Sequence, residues 1–278
     1  MKYAIKLYTA LSLVFILLLS VSGSFSGILS DVIYIIAFVA PALIGLYLSK
    51  VFHRMREEEA GVSLENKWYY TLDAAKVKLL SPLVMPAILV VMLVSFLTTL
   101  VLNAFGISSA QIEITSLPRM LVMHALAPAL LEELLFRYLP MKLILPYSKR
   151  ACIVISSLYF AFIHCSLFSI PYALVAGALF ISLDIAFDSV LPSLILHFLN
   201  NAMSVIMVKY CDSVTSYAIY LGACLVLLVV SLIFIYRFKD KYKEILKDTA
   251  SDMGSIDAGY YPLLLLIPTL LIAVVNLF

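Results

Sequence analysis

Apolar runs of about twenty residues, the length a helix needs to cross a bilayer, recur along this 278-residue chain. Nine such runs stand out, at roughly 7–23, 32–49, 82–103, 118–139, 151–168, 171–187, 190–209, 215–236 and 260–278. Composition agrees. Residues of the AVILMFWYC set make up 64% of the chain and charged residues 13%, against about 45–50% and about 25% in soluble domains. That balance excludes a soluble globular protein and a disordered chain. A formal net charge of +2 offers no broad basic surface for a polyanion, so no nucleic-acid partner is expected. The expected fold is all-α: a polytopic membrane helix bundle of about eight or nine transmembrane helices, forming one membrane domain over 1–278. The sixth run carries Asp184 and Asp188 at its end, and the last is short, with Tyr260 and Tyr261 as interfacial anchors.

Basic residues orient the spans. With the N-terminus in the cytoplasm, sixteen Lys and Arg fall in inside segments and two, Arg119 and Lys209, fall outside. The start of the chain, with Lys2, Lys6, an apolar run and Ser20-Val21-Ser22-Gly23, resembles a secretory signal; an uncleaved first span is the expectation. The polar segment 50–81 is read as cytoplasmic and juxtamembrane. Its charge run Arg54–Glu59 suits a solvated helix face, and Trp68-Tyr69-Tyr70 suits a helix lying at the interface. Cys152, Cys165, Cys211 and Cys224 form no C-x-x-C pair and read as small buried hydrophobes.

Ionisable groups at membrane depth are costly and mark functional sites by default. Here they are His124, Glu132, Glu133, His164 and His197, with Asn201 as a polar neighbour. Glu133 and Arg137 are four apart and share a helix face, so they pair. Glu132 points about 100° away from Glu133 and has no cation three or four residues along its helix, which makes it a candidate general base. Pro128, just upstream, removes a backbone hydrogen bond and is expected to kink the helix. His197 and Asn201 are also four apart. Both can donate to a common point, as an oxyanion requires, and they equally suit an interhelical hydrogen-bond pair. His124 lies about 12 Å along the helix from Glu132 and is expected to be a polar residue of the bundle. Asp184 and Asp188 are read as an interfacial or loop feature.

Several chemistries have no motif. No His-Glu-x-x-His, Gly-x-Gly-Asp, Gly-x-Ser-Gly, P-loop or Gly-x-Gly-x-x-Gly is present. Glu132, Glu133, His164 and His197 could in principle ligate a metal, but no ligand spacing demands one and no cofactor is expected.

Three motifs occur in order: Glu132-Glu133-x-x-x-Arg137, Phe160-x-x-x-His164 and His197-x-x-x-Asn201. Together they resemble the CPBP family, also called Abi, which includes the type II CAAX prenyl endopeptidases. The resemblance covers about 118–207, spans four to seven, as a catalytic core. It implies an intramembrane glutamate protease in which Glu132 and His164 activate water. His197 and Asn201 would form the oxyanion hole, with Glu133, Arg137 and Phe160 in support. Implied partners are a peptide or protein substrate, prenylated or membrane-associated, and membrane lipid. Two other readings of the same buried groups stand beside it: a transporter or proton relay, and a non-catalytic scaffold.

Overall fold

The computed structural model describes residues 1–22, 25, 28–60, 69–108 and 114–250. Among these residues the chain forms nine helices and no strand. They are α1 (Lys2–Ser22), α2 (Ile28–Ala60), α3 (Ala74–Ala104), α4 (117–143), α5 (Lys149–Phe162), α6 (Ile170–Phe187), α7 (Leu191–Tyr210), α8 (Val214–Arg237) and α9 (Lys239–Ala250). Helices are what an apolar solvent enforces, because every backbone N–H and C=O must find its partner within the segment. Six of them, α1, α2, α3, α6, α7 and α8, are long and apolar enough to cross a membrane. At about 1.5 Å per residue α4 is roughly 40 Å long, which also exceeds a hydrocarbon core of about 30 Å. Long rows of exposed apolar side chains on α3 and α8, such as Leu93, Phe96, Leu97, Leu225, Val226 and Val229, are what a lipid-facing surface presents. The protein is an integral membrane protein.

Three expectations change. The fifth run is not one full-length helix: α5 has 14 residues and is about 21 Å long. It ends at Phe162 because His164 and Cys165 turn back to Ala161 and Phe162 and Cys165 adopts φ 46°, outside the helical region. Tyr69 and Tyr70, expected on an interfacial helix, do not lie on one. Those two residues are non-helical, and α3 begins only after Asp73, whose carboxylate accepts the Lys76 N–H at 2.7 Å as an N-cap. Trp68 lies outside the described residues, as do Gly23 and the last run at 260–278 with Tyr260 and Tyr261. Third, Pro128 does not produce a simple kink. α4 passes through two π turns, Val122–Leu126 and Leu134–Tyr138, and each ends two residues before a proline, Pro128 or Pro140. The N–H just before each proline reaches back five residues, Ala127 to the Val122 carbonyl and Leu139 to that of Leu134. Widening the turn makes room for the ring that would otherwise strike the carbonyl four residues earlier.

Pro140 also withholds the N–H that the Phe136 carbonyl would receive. The hydroxyl of Ser156 on α5, fully buried, donates to that carbonyl instead. This contact locks α5 to the second π turn. On its other side α5 packs closely on α6, where Gly177 lets the backbones meet: a Cβ there would lie 2.9 Å from Ser157 Cα. α1 closes the bundle by stacking Tyr8 on Tyr159 at 5.0 Å, and Thr9 hydrogen-bonds the Tyr159 hydroxyl. No disulfide joins the four cysteines, and three of them are buried.

Candidate active site

α4 supplies two carboxylates and a guanidinium to the interior of the bundle. Glu133 and Arg137, one turn apart, pair at 3.3 Å between Oε2 and Nε, and both side chains are almost completely buried. Arg137 is further held by aromatic faces, its guanidinium carbon 4.1 Å from the Phe160 ring centre and 5.8 Å from that of Phe180. A desolvated cation–π contact of this kind is worth about 2 kcal/mol and offsets part of the cost of burying the charge.

α7 brings His197 between the two acids. Its Nδ1 lies 2.7 Å from Glu133 Oε1, and its Nε2 lies 3.8 Å from Glu132 Oε2. Paired with Arg137, Glu133 serves as an acceptor, so Nδ1 carries the hydrogen and Nε2 is the nitrogen turned toward Glu132. The two adjacent acids are thus in different situations. Glu133 is engaged by Arg137 and His197. Glu132 Oε2 is buried without a hydrogen-bond partner among the described residues.

His164 stands on the turn that ends α5. Its Nδ1 is 2.7 Å from the Phe160 carbonyl, one of the carbonyls left open where a helix stops. A carbonyl only accepts, so Nδ1 carries the hydrogen and Nε2 keeps its lone pair. The ring meets Phe160 at 5.0 Å and Tyr172 at 6.2 Å. Phe160 is the common neighbour: its ring also lies 5.7 Å from His197, so one side chain touches Arg137, His164 and His197. The Phe-x-x-x-His spacing serves two ends, with the histidine covering the carbonyl of the residue whose ring supports the arginine.

Asn201 is not joined to this network by a hydrogen bond. It lies one turn beyond His197, half-buried, and its Oδ1 accepts from Asn200 Nδ2 at 3.2 Å, so its own amide N–H groups are the donors left to offer. His124 differs from expectation: its side chain is exposed, on the first π turn. Among the described residues no group of three His, Cys, Asp or Glu side chains is arranged to hold a metal ion.

Asp184 was read from the sequence as an edge feature, and the structure overturns that. Its carboxylate is completely buried, and Oδ1 accepts the backbone N–H of Ser193 at 2.9 Å. It interacts electrostatically with Glu133 and Arg137. The available signal was an acid in the last turn of an otherwise apolar helix; its closeness to the helix end disguised it. Ser156 and Phe180 carry no signal of their own in the sequence.

The fold and these groups define a membrane protein with an ionisable cluster enclosed by its helices. Residues 114–203, which hold every residue of the cluster, match the family model described as Type II CAAX prenyl endopeptidase Rce1-like. The match spans roughly a third of the chain and supports a protease of the CAAX-type intramembrane kind, one that acts on peptide or protein substrates in membranes. No curated protein and no solved structure matches the chain.

Proposed function

We propose that the protein is an intramembrane endopeptidase that hydrolyses a peptide bond near the C-terminus of prenylated or membrane-associated peptides, using water activated by Glu132 and His164. The observation that carries this reading is the division of labour between the adjacent acids. Glu133 meets Arg137 Nε at 3.3 Å and His197 Nδ1 at 2.7 Å, whereas Glu132 stands 3.8 Å from His197 Nε2. Glu132 takes a proton from water as the water oxygen attacks the scissile carbonyl carbon. His164 orients that water through Nε2. Charge then develops on the carbonyl oxygen, where the Asn201 amide and His197 Nε2, when protonated, donate to it; one such donor is worth about 10²–10³ in rate. When the C–N bond breaks, Glu132 returns the proton to the leaving amine, and the products are a carboxylic acid and an amine. Glu133, Arg137 and Phe160 hold the histidines in place.

The reading includes a cytoplasmic N-terminus and a site that opens to the cytoplasmic side, as the distribution of Lys and Arg suggests. The family match is to a protease family and gives the transporter reading no support.

The test is cleavage of farnesylated and unmodified C-terminal peptides by the purified protein, with and without chelator. Glu132→Ala and, separately, His164→Ala are expected to abolish cleavage while the proteins insert and purify normally. Full cleavage by Glu132→Ala overturns the reading. Loss of activity on chelation replaces the Glu132–His164 pair with a metal as the activator of water.

A further inference from the structure

The first turn of α7 has a complete hydrogen-bond account. A helix N-terminus leaves its leading N–H groups without partners inside the helix, and a proline removes one of them. In α7 the Val190 N–H goes to the Tyr69 carbonyl at 2.8 Å, the Leu191 N–H to Ser189 Oγ at 3.2 Å, and Pro192 has none. The Ser193 N–H is the one given to a side chain of another helix, the Asp184 carboxyl on α6, at 2.9 Å. The residue in the N-cap position of α7, Val190, has no side chain able to accept it. Asp184 therefore caps α7 from outside.

Ser193 is four residues before His197, so the two share a face of α7, about 6 Å apart along the axis. The Ser193 hydroxyl donates to the Val190 carbonyl at 2.9 Å and lies next to both the Glu133 and Asp184 carboxylates. Fixing Ser193 on α6 thus fixes the rotation of α7 about its axis. That rotation decides whether His197 Nδ1 reaches Glu133 and Nε2 faces Glu132.

We infer that Asp184 is a positioning residue: by accepting the Ser193 N–H from α6 it sets the rotation of α7 and so holds His197 between Glu133 and Glu132. It acts through the capping oxygen rather than through its charge, since one hydrogen bond fixes the turn. This inference rests on the protease reading for its kinetic consequence and not for its geometry.

The experiment compares Asp184→Ala with Asp184→Asn, which keeps the accepting oxygen and removes the charge. The substrate is the farnesylated C-terminal peptide. Asp184→Ala is expected to lower kcat by about 10²-fold, the cost of a small misplacement of a catalytic group, with KM changed by less than about twofold because no substrate contact is lost. Asp184→Asn restores most of kcat. If Asp184→Ala does not yield folded protein, Asp184→Ser, too short to reach the Ser193 N–H, takes its place with the same expectation. A second measurement needs no substrate: the downfield proton resonance of the short His197 Nδ1–H to Glu133 bond, identified by its loss in His197→Asn. It is expected in the wild type and in Asp184→Asn, and to be absent or shifted in Asp184→Ala. Wild-type kcat in Asp184→Ala, a loss confined to KM, an Asp184→Asn variant as impaired as Asp184→Ala, or an unmoved resonance in Asp184→Ala each overturns the inference. A wild-type protein that cleaves no peptide refutes the protease reading alone, and the resonance then decides the role of Asp184.

Discussion

At the scale of single residues, the cluster depends on Arg137. Its side chain is completely enclosed, it is the cation opposite Glu133, and it lies over Phe160 and Phe180. Removing one partner of a buried ion pair leaves the other charge uncompensated, at about 3–5 kcal/mol. Arg137→Met is therefore expected to lower the unfolding temperature measured in detergent and to abolish cleavage. Arg137→Lys is expected to lose part of both, because an ammonium lacks the planar group that lies over the rings. The double variant Glu133→Gln with Arg137→Met is expected to be more stable than Arg137→Met alone, since the carboxylate that faced Arg137 is gone. These residues were legible in the sequence because each is a charge or imidazole inside an apolar run. What joins them was not. That His197 would reach both acids depends on the rotation of α7, which Asp184 and the Ser193 backbone set from outside the motif.

At the scale of elements, the site is assembled by irregular backbone. α5 stops at Phe162, so the turn bearing His164 and Cys165 lies where a full-length helix would continue through the membrane. Non-helical backbone at such depth is tolerated where protein encloses it or water reaches it, which is also what a hydrolytic group requires. The second π turn is stabilised across the bundle by the Ser156 hydroxyl on the Phe136 carbonyl. Ser156→Ala strands a buried acceptor and is expected to destabilise the protein by about 1–3 kcal/mol. Pro140→Ala returns a backbone N–H near that carbonyl, so the same Ser156→Ala change made in that background is expected to cost less; thermal unfolding of the four proteins measures the difference. Hydropathy locates α1, α2, α3, α6, α7 and α8 well because they are regular and apolar. It misjudges α5 because Ile163, Leu167 and Phe168 keep the run apolar after the backbone has turned, and it carries no trace of a π turn beyond the prolines that follow it.

At the scale of the whole molecule, the proposed orientation places the starts of α5 and α7 and the whole of α9 on the cytoplasmic side, with the α7–α8 connection outside. In a background with the native cysteines replaced by alanine, Asp212→Cys, exposed on that connection, is expected to react with a membrane-impermeant maleimide in intact cells. Lys241→Cys, exposed on α9, is expected to react only after permeabilisation. The opposite pattern inverts the topology and with it the side from which the site is reached. The helices around α4–α7 have different tasks. α1 closes the bundle through Tyr8 and Thr9 on Tyr159, whereas α8 turns most of its apolar side chains outward.

The two wide turns of α4 also constrain how the chain can change in length. Each takes up one residue more than the regular helix rung it replaces, and they lie on either side of Glu132 and Glu133. Deleting one residue between Leu134 and Tyr138 would let a regular rung close, and the helix beyond it would keep its direction. Leu139 would then still meet Gly45 of α2, whose missing side chain makes room for it, and the acids before the deletion would keep their direction. Each wide turn is thus a stretch of α4 where the loss of one residue is absorbed locally, whereas a deletion in regular helix turns everything beyond it by about 100°.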